Sequence, residues 1–283
     1  MITVTGATGH LGRLVVEQLL DRGVPAAGIV AAVRAPEKAA DLAARGVQVR
    51  EADYDRPETL AAALAGTDRL LLVSGNELGQ RLRQHGNVVE AARSAGVSLL
   101  AYTSILAADT TSVPLGPEHK ATEDLVRASG LPYVLLRNGW YLENYDLAGA
   151  VAQGVILGAA GEGRVSAATR ADFAAAAVAV LTGDGHAGKV YELGGDEAFT
   201  LAELAAEVTR QSGTEVAYRD LPVDEYARAL AGFGLPEPVA RMLADSDAGL
   251  ARGDLHTGTG DLSRLIARPT TPLPDAVAQH LKP

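Results

Sequence analysis

The sequence predicts an α/β protein: a doubly wound parallel sheet covered on both faces by helices, with a smaller α+β lobe toward the C-terminus. Three observations point there. Short apolar runs alternate with segments of helical periodicity through the first half. The turns between them are tight and marked by glycine. A glycine-rich loop follows the first apolar run directly.

Strands are expected at Ile2–Thr5, Gly28–Val33, Val47–Glu51, Arg69–Ser74, Val97–Thr103 and Tyr133–Arg137, short runs suited to burial on both faces. Between them, Leu11, Leu14, Val15, Leu19 and Leu20 form one helical stripe, and Val88, Val89, Ala92 and Ala95 another. Gly23, Gly46, Gly66, Gly96 and Gly130 punctuate the turns. Connections this short join parallel strands by right-handed crossovers. Further on, a helix is expected over Ala171–Leu181 and a strand over Lys189–Leu193. Thr200, with Glu203 three residues on, reads as a capping box opening a helix through Gln211. A strand at Val216–Tyr218, helices around Val223–Leu230 and Pro236–Leu243, a proline-rich Arg268–Pro274 and a last short helix complete the chain.

With 283 residues, 47% of them hydrophobic and 21% charged, the chain buries a sizeable core and is not disordered. Its formal net charge of −10 repels nucleic acid and anionic lipid, so neither is expected as a partner. The absence of cysteine removes disulfides, thiolate chemistry and cysteine metal sites together. The six histidines show no closely spaced ligand pair, so no metal is expected. No signal peptide fits the N-terminus, and the apolar stretch Ala174–Leu181 is too short to span a bilayer. These features fit a cytoplasmic protein; a homodimer is allowed.

The most informative stretch is Thr5-Gly6-Ala7-Thr8-Gly9-His10-Leu11-Gly12, set between the first strand and the first helix. Gly6 permits the sharp turn, Gly9 lets backbone amides approach a pyrophosphate, and Gly12 lets the helix pack closely. The helix N-terminus offers free N–H groups and a partial positive charge to that anion. The expected ligand is a dinucleotide, held on a Rossmann-type sheet. The end of the second strand selects which one. Where NAD sites carry Asp or Glu, this chain has Arg34, with Lys38 one helical turn on. A guanidinium pairs with a 2′-phosphate in two-pronged fashion, which favours NADP(H). Asp53, ending the third strand, either caps the adenine amino group or closes a turn. Ser74, Gly75 and Asn76, ending the fourth, suit the cofactor's sugar or diphosphate region. The predicted organisation is thus an NADP-binding domain over 1–150 with 171–196 returning to it, and a substrate lobe over 151–170 and 197–283.

The fifth strand ends in Ser104, as in short-chain dehydrogenases, where a Tyr and a Lys four residues later relay a proton to the alkoxide. Here His119 stands near the tyrosine position and Glu123 near the lysine position, so that relay is missing. Reduction of a simple ketone needs a matched acid. Reduction of a quinone makes a phenolate, whose conjugate acid has a pKa of about 10, and water can protonate it. His119 is either a proton donor or an ordinary helix histidine. Beyond the sixth strand lies Arg137-Asn138-Gly139-Trp140-Tyr141-Leu142-Glu143-Asn144-Tyr145, which holds the chain's one tryptophan. Ligands of open α/β sheets bind beyond such strand ends. Flat aromatic faces suit a nicotinamide or quinone ring, and Asn138 and Asn144 offer directional hydrogen bonds. Trp140, Tyr141, Asn144 and Ser104 are the candidate substrate contacts.

Taken together, TGATGHLG, AAVRAPEKA, EADYD, AYTSILAAD, LLRNGWYLENY and SAATRADFAAAA resemble the NADPH:quinone oxidoreductase type 2 family, among the NmrA-like, atypical short-chain dehydrogenases. The resemblance runs from Met1 to about Pro274. It implies NADPH along the sheet edge and a quinone beside the nicotinamide, with cofactor contacts from Gly6–Gly12, Arg34, Ser74–Asn76 and Asn138–Glu143. The expected function is two-electron reduction of quinones by direct hydride transfer, with no flavin required. The alternative is a non-catalytic NADP(H)-binding sensor of the NmrA type, which also has no use for a Tyr/Lys relay.

Overall fold

The computed structural model describes residues 1–282. Its strands are β1 (Ile2–Thr5), β2 (Ile29–Val33), β3 (Gln48–Glu51), β4 (Arg69–Leu72), β5 (Leu99–Ile105), β6 (Tyr133–Asn138), β7 (Val155–Gly158), β8 (Lys189–Leu193) and β9 (Ala217–Asp220). The helices are α1 (His10–Asp21), α2 (Ala40–Ala44), α3 (Pro57–Ala63), α4 (Arg81–Ala95), α5 (Gly116–Ala128) and α6 (Leu147–Gln153). They continue with α7 (Arg170–Thr182), α8 (Leu201–Ser212), α9 (Val223–Gly232), α10 (Glu237–Ala251), α11 (Asp261–Ile266) and α12 (Leu273–His280).

Among the described residues seven strands form one sheet, in the order β3-β2-β1-β4-β5-β6-β8. The pairings of β1 with β2 and β4, of β2 with β3, and of β5 with β4 and β6 are parallel. The order reverses between β1 and β4, so the loops leaving those two strands border the switch-point crevice where open α/β sheets bind ligands. Every residue of β2 and β5 is buried, as covering on both faces requires. Leu60, Leu70, Val88, Tyr102 and Leu135 meet in one core cluster. Helix α7 carries nine buried residues, and Gln18 of α1 donates to its Ala171 carbonyl at 2.9 Å. A helix so apolar is an interior element.

Several boundaries differ from the sequence expectation for identifiable reasons. Strand β4 stops at Leu72 rather than Ser74. The N–H groups of Val73 and Ser74 are taken by the hydroxyls of Thr5 (3.0 Å) and Thr103 (2.8 Å), which ends the ladder. Strand β5 begins two residues later and runs on to Ile105, paired with Asn138. Helix α10 continues past Leu243 to Ala251. In the added turns Ser246 and Asp247 are buried and bonded, to Met242 O (2.8 Å) and Ala159 N (2.9 Å). Strand β7, unforeseen in a Gly/Ala-rich stretch, pairs parallel with β9 in a two-stranded sheet. The capping box at Thr200 and Glu203 forms as read.

The chain divides into two compact units, 1–108 with 117–138 and 170–191, and 109–116 with 139–169 and 192–283. It therefore leaves the first unit at Asn138, ahead of the expected boundary at 150. The chain returns to the sheet only with β8.

Candidate functional site

The loop after β1 takes the shape its glycines allow. Gly6 has φ +58°, in the left-handed region that disfavours any side chain. Gly9 N–H turns back onto Gly6 O at 2.9 Å. A Cβ on Gly12 would lie 2.4 Å from Gly6 O, so the helix start and the loop are in contact that only glycine permits. Ala7 and Leu11 are buried beneath the loop, Thr8 is half-buried, and Gly9 and His10 are exposed. Helix α1 opens with no side-chain cap and no acidic residue in its first turn. Its amide donors and positive dipole end are thus left to an external anion, and the cradle fits a dinucleotide diphosphate.

At the end of β2, Arg34 is exposed and its Nη1 donates to Glu77 Oε1 at 2.9 Å. Lys38 is exposed in the 3₁₀ turn that follows. Two cations with free approach from solvent fit an added phosphate. Asp53 closes the turn into α3, accepting from Asp55 N at 3.0 Å, while its own N–H donates to Thr59 Oγ1 at 2.9 Å.

The loop after β4 is held from behind. Gly75 N–H donates to His85 Nε2 at 2.9 Å, which leaves the proton of the neutral ring on Nδ1, facing Thr122 Oγ1 at 3.1 Å. Burial, then nearby Arg81, pulls the His85 pKa down to about 3, so the ring is neutral. Arg81, itself buried, donates to Gly75 O at 2.8 and 3.0 Å and pairs with Glu118, which accepts from Gly79 N at 2.6 Å. Ser74, Gly75 and Asn76 are therefore presented by a fixed backbone. Sequence reasoning missed His85, Arg81 and Glu118, whose partners lie on a loop and two helices with no common spacing.

The dehydrogenase relay position is filled by an ion cluster. Glu123 is wholly buried; its two oxygens meet Arg137 Nε at 2.8 Å and Nη2 at 2.7 Å, and Arg127 adds a contact at 3.1 Å. Ser104 Oγ donates to the same carboxylate at 2.6 Å. Ser104 thus helps tie β5, β6 and α5 together and is not a free donor. His119 is buried, with Nδ1 2.7 Å from the Tyr102 hydroxyl. Burial, then Arg81 and His85, holds it well below the usual imidazole range. It is a neutral ring in a packed network, poorly suited to donate a proton.

Asn138, buried, ends β6. In the second unit, Gly139 N–H donates to Leu193 O at 2.8 Å, and a Cβ there would stand 2.9 Å from that oxygen. Ala168 N donates to Trp140 O (3.1 Å) and Leu142 N to Ala168 O (3.0 Å), fixing the backbone around Tyr141. Leu142, Glu143 and Asn144 form a 3₁₀ turn, with Leu142 buried and Asn144 exposed. Trp140 Nε1 and the Tyr145 hydroxyl are buried and interact with each other, but neither forms a well-shaped hydrogen bond. Burial, then Asp247, Tyr226 and Tyr218, pushes the Tyr145 phenol up. Burial likewise pushes the Asp247 carboxyl up to about 6. Tyr145 and Asp247 were not foreseen: they lie about a hundred residues apart, and no spacing links them. Among the described residues no cluster of acidic, histidine or cysteine side chains could hold a metal, and no helix is long and apolar enough to cross a membrane.

Residues 6–184 match the NAD(P)H-binding family. The chain is 52% identical over 283 residues to quinone oxidoreductase 2 of Escherichia coli K12, covering 99% of this chain and 98% of that protein. The crystal structure of the E. coli NADPH-dependent quinone oxidoreductase complexed with NADPH superposes with a TM-score of 0.96, at 51% identity and full coverage of both chains. The Citrobacter sp. triphenylmethane reductase complexed with NADP(H) gives 0.95 at 40% identity, covering 99% of this chain and 100% of that one. An NmrA mutant structure, at 16% identity and a TM-score of 0.80, shares the fold. The chain belongs to the NAD(P)H-binding, NmrA-like atypical short-chain dehydrogenases and, within them, to the type 2 quinone oxidoreductases.

Proposed function

We propose that this protein reduces quinones to hydroquinones by two electrons at the expense of NADPH. One observation carries the reading beyond family membership: the position of the dehydrogenase proton relay is occupied by the buried Glu123–Arg137 pair, with half-buried Arg127 beside it. An acceptor that needs a matched acid would find none there, whereas a quinone needs none.

Bound NADPH supplies the hydride. The chain's residues bind, orient and exclude water. Gly6 to Gly12 and the α1 N-terminus hold the diphosphate, and Arg34 and Lys38 the 2′-phosphate. Ser74 to Asn76 and Asn138 to Glu143 complete the nucleotide contacts. Trp140, Tyr141 and Asn144 offer flat faces and an amide to the acceptor. With NADPH held there, a quinone carbonyl oxygen would receive the hydride to give the aromatic hydroquinone monoanion, which would need only one proton, from solvent. On this reading the enzyme works in the cytoplasm without nucleic acid as a partner.

The test is oxidation of NADPH by purified protein with a panel of benzoquinones, naphthoquinones and simple ketones. Quinone-dependent loss of nicotinamide absorbance is expected, with ketones inert. Tight NADPH binding with no turnover of any quinone would hand the case to the sensor reading. Arg34→Ala is expected to weaken NADPH by about ten- to a hundredfold and NADH far less, as removal of a charge-assisted pair implies.

A further inference from the structure

The Arg34 guanidinium does not face solvent alone. Glu77, on the loop after β4, takes Arg34 Nη1 at 2.9 Å with Oε1. Its other oxygen accepts from Gln84 Nε2 at 2.9 Å. Gln84 is buried and the same amide also reaches Asp55 Oδ2 at 3.1 Å, so Glu77 is a carboxylate fixed at both ends. A second acid stands close: Arg83 and Gln84, with Arg34 adding a smaller share, hold the Asp55 carboxyl below its usual range. The cation assigned to the 2′-phosphate is thus flanked by two acidic groups, Glu77 from the loop after β4 and Asp55 from the loop after β3.

We infer that Glu77 is a specificity-determining residue, which limits how strongly the protein prefers NADPH over NADH. The inference rests on the assignment of Arg34 to the 2′-phosphate. A phosphate approaching Arg34 meets a carboxylate that already holds one of the guanidinium donors and repels the incoming charge. A ribose 2′-hydroxyl, as in NADH, is a donor and finds in the same carboxylate an acceptor. Glu77 therefore disfavours one nucleotide and favours the other, and the chain accepts both within a narrower ratio than Arg34 alone would set.

Glu77→Gln keeps an oxygen for Gln84, removes the charge and puts an amide N–H in place of the oxygen that accepts from Arg34. Dissociation constants for NADPH and NADH, read by nucleotide fluorescence titration in low and high salt, test the idea with Arg34→Ala measured alongside. Binding of NADPH should tighten by about two- to fivefold at low salt, the range an exposed ion pair spans, with NADH unchanged or weaker and the gain reduced by salt. If Glu77→Gln moves both nucleotides alike, or neither, while Arg34→Ala still singles out NADPH, then Glu77 only shapes its loop and the inference is overturned. If Arg34→Ala weakens both nucleotides equally, the 2′-phosphate assignment itself falls and takes the inference with it.

Discussion

Two buried polar regions of this molecule are built by opposite rules. In the first unit Arg81, His85, Ser104 and Glu123 each meet a hydrogen-bonding or charged partner at ordinary distance. In the second, Trp140 Nε1 and the Tyr145 hydroxyl are buried with only each other for polar contact and no well-formed hydrogen bond, and Asp247 has one backbone donor for a whole carboxylate. Both regions are costly to desolvate. Only the first recovers that cost in bonds within the fold. Polarity that the fold answers is architecture; polarity that it does not answer belongs to something the fold receives.

The largest effect should come from breaking the answered region. Glu123→Ala removes one partner of the buried Glu123–Arg137 ion pair, and should destabilise the protein by about 3–5 kcal/mol in urea denaturation. An unchanged midpoint would erase the contrast between the two regions.

Next in size are the two pH responses, which have opposite signs. The Asp247 pKa is raised from 3.8 to about 6, so its burial costs nothing below pH 4 and the penalty grows as pH climbs through 6. Asp247→Asn keeps an acceptor for Ala159 N–H and should stabilise the protein by up to about 3 kcal/mol at pH 8, with the gain gone by pH 4. The His85 pKa is lowered from 6.5 to about 3, so its contribution is whole above pH 6.5 and declines as pH falls toward 3. Urea midpoints across pH for wild type and Asp247→Asn separate the two; a mutant curve parallel to wild type would mean that Asp247 is not the group being titrated.

The smallest effect should be Tyr145→Phe. Its hydroxyl has only a weak contact with Trp140 to lose, so stability should stay within about 0.5 kcal/mol or rise. A change in the quinone KM at unchanged melting temperature would then report binding alone. A loss of several kilocalories would show that the hydroxyl is answered after all.

The sheet was legible because its signals are local. Glycine turns, apolar runs and the Thr200–Glu203 box each lie within a few residues, and those elements form close to where they were read. What escaped was set by distance along the chain. Thr5 and Thr103 end β4 from two other strands, and no pattern near Ser74 announces it. Strand β7 exists through pairing with β9, some sixty residues later, while its own residues Val155 to Gly158 are too few to declare a period. The glycine loop, Arg34 and the aromatic run at Trp140 were readable from residue type and position after a strand. The supports of His85, Arg81 and Glu118, and the unanswered pair Trp140 and Tyr145, were not, because satisfaction of a polar group is a property of the assembled fold.

One consequence follows from how the two units share the chain. The first takes residues up to 108, then 117–138, then 170–191, and the second the remainder. Strand β8, at the edge of the large sheet, is encoded after the second unit has already begun. A ribosome must therefore extrude about two-thirds of the polypeptide before the nucleotide-binding fold can close, leaving the edge of β6 without its neighbour in the meantime. No single cut yields either unit intact, and a gene fragment ending near residue 150 should give an aggregating product where the full-length message gives a soluble one.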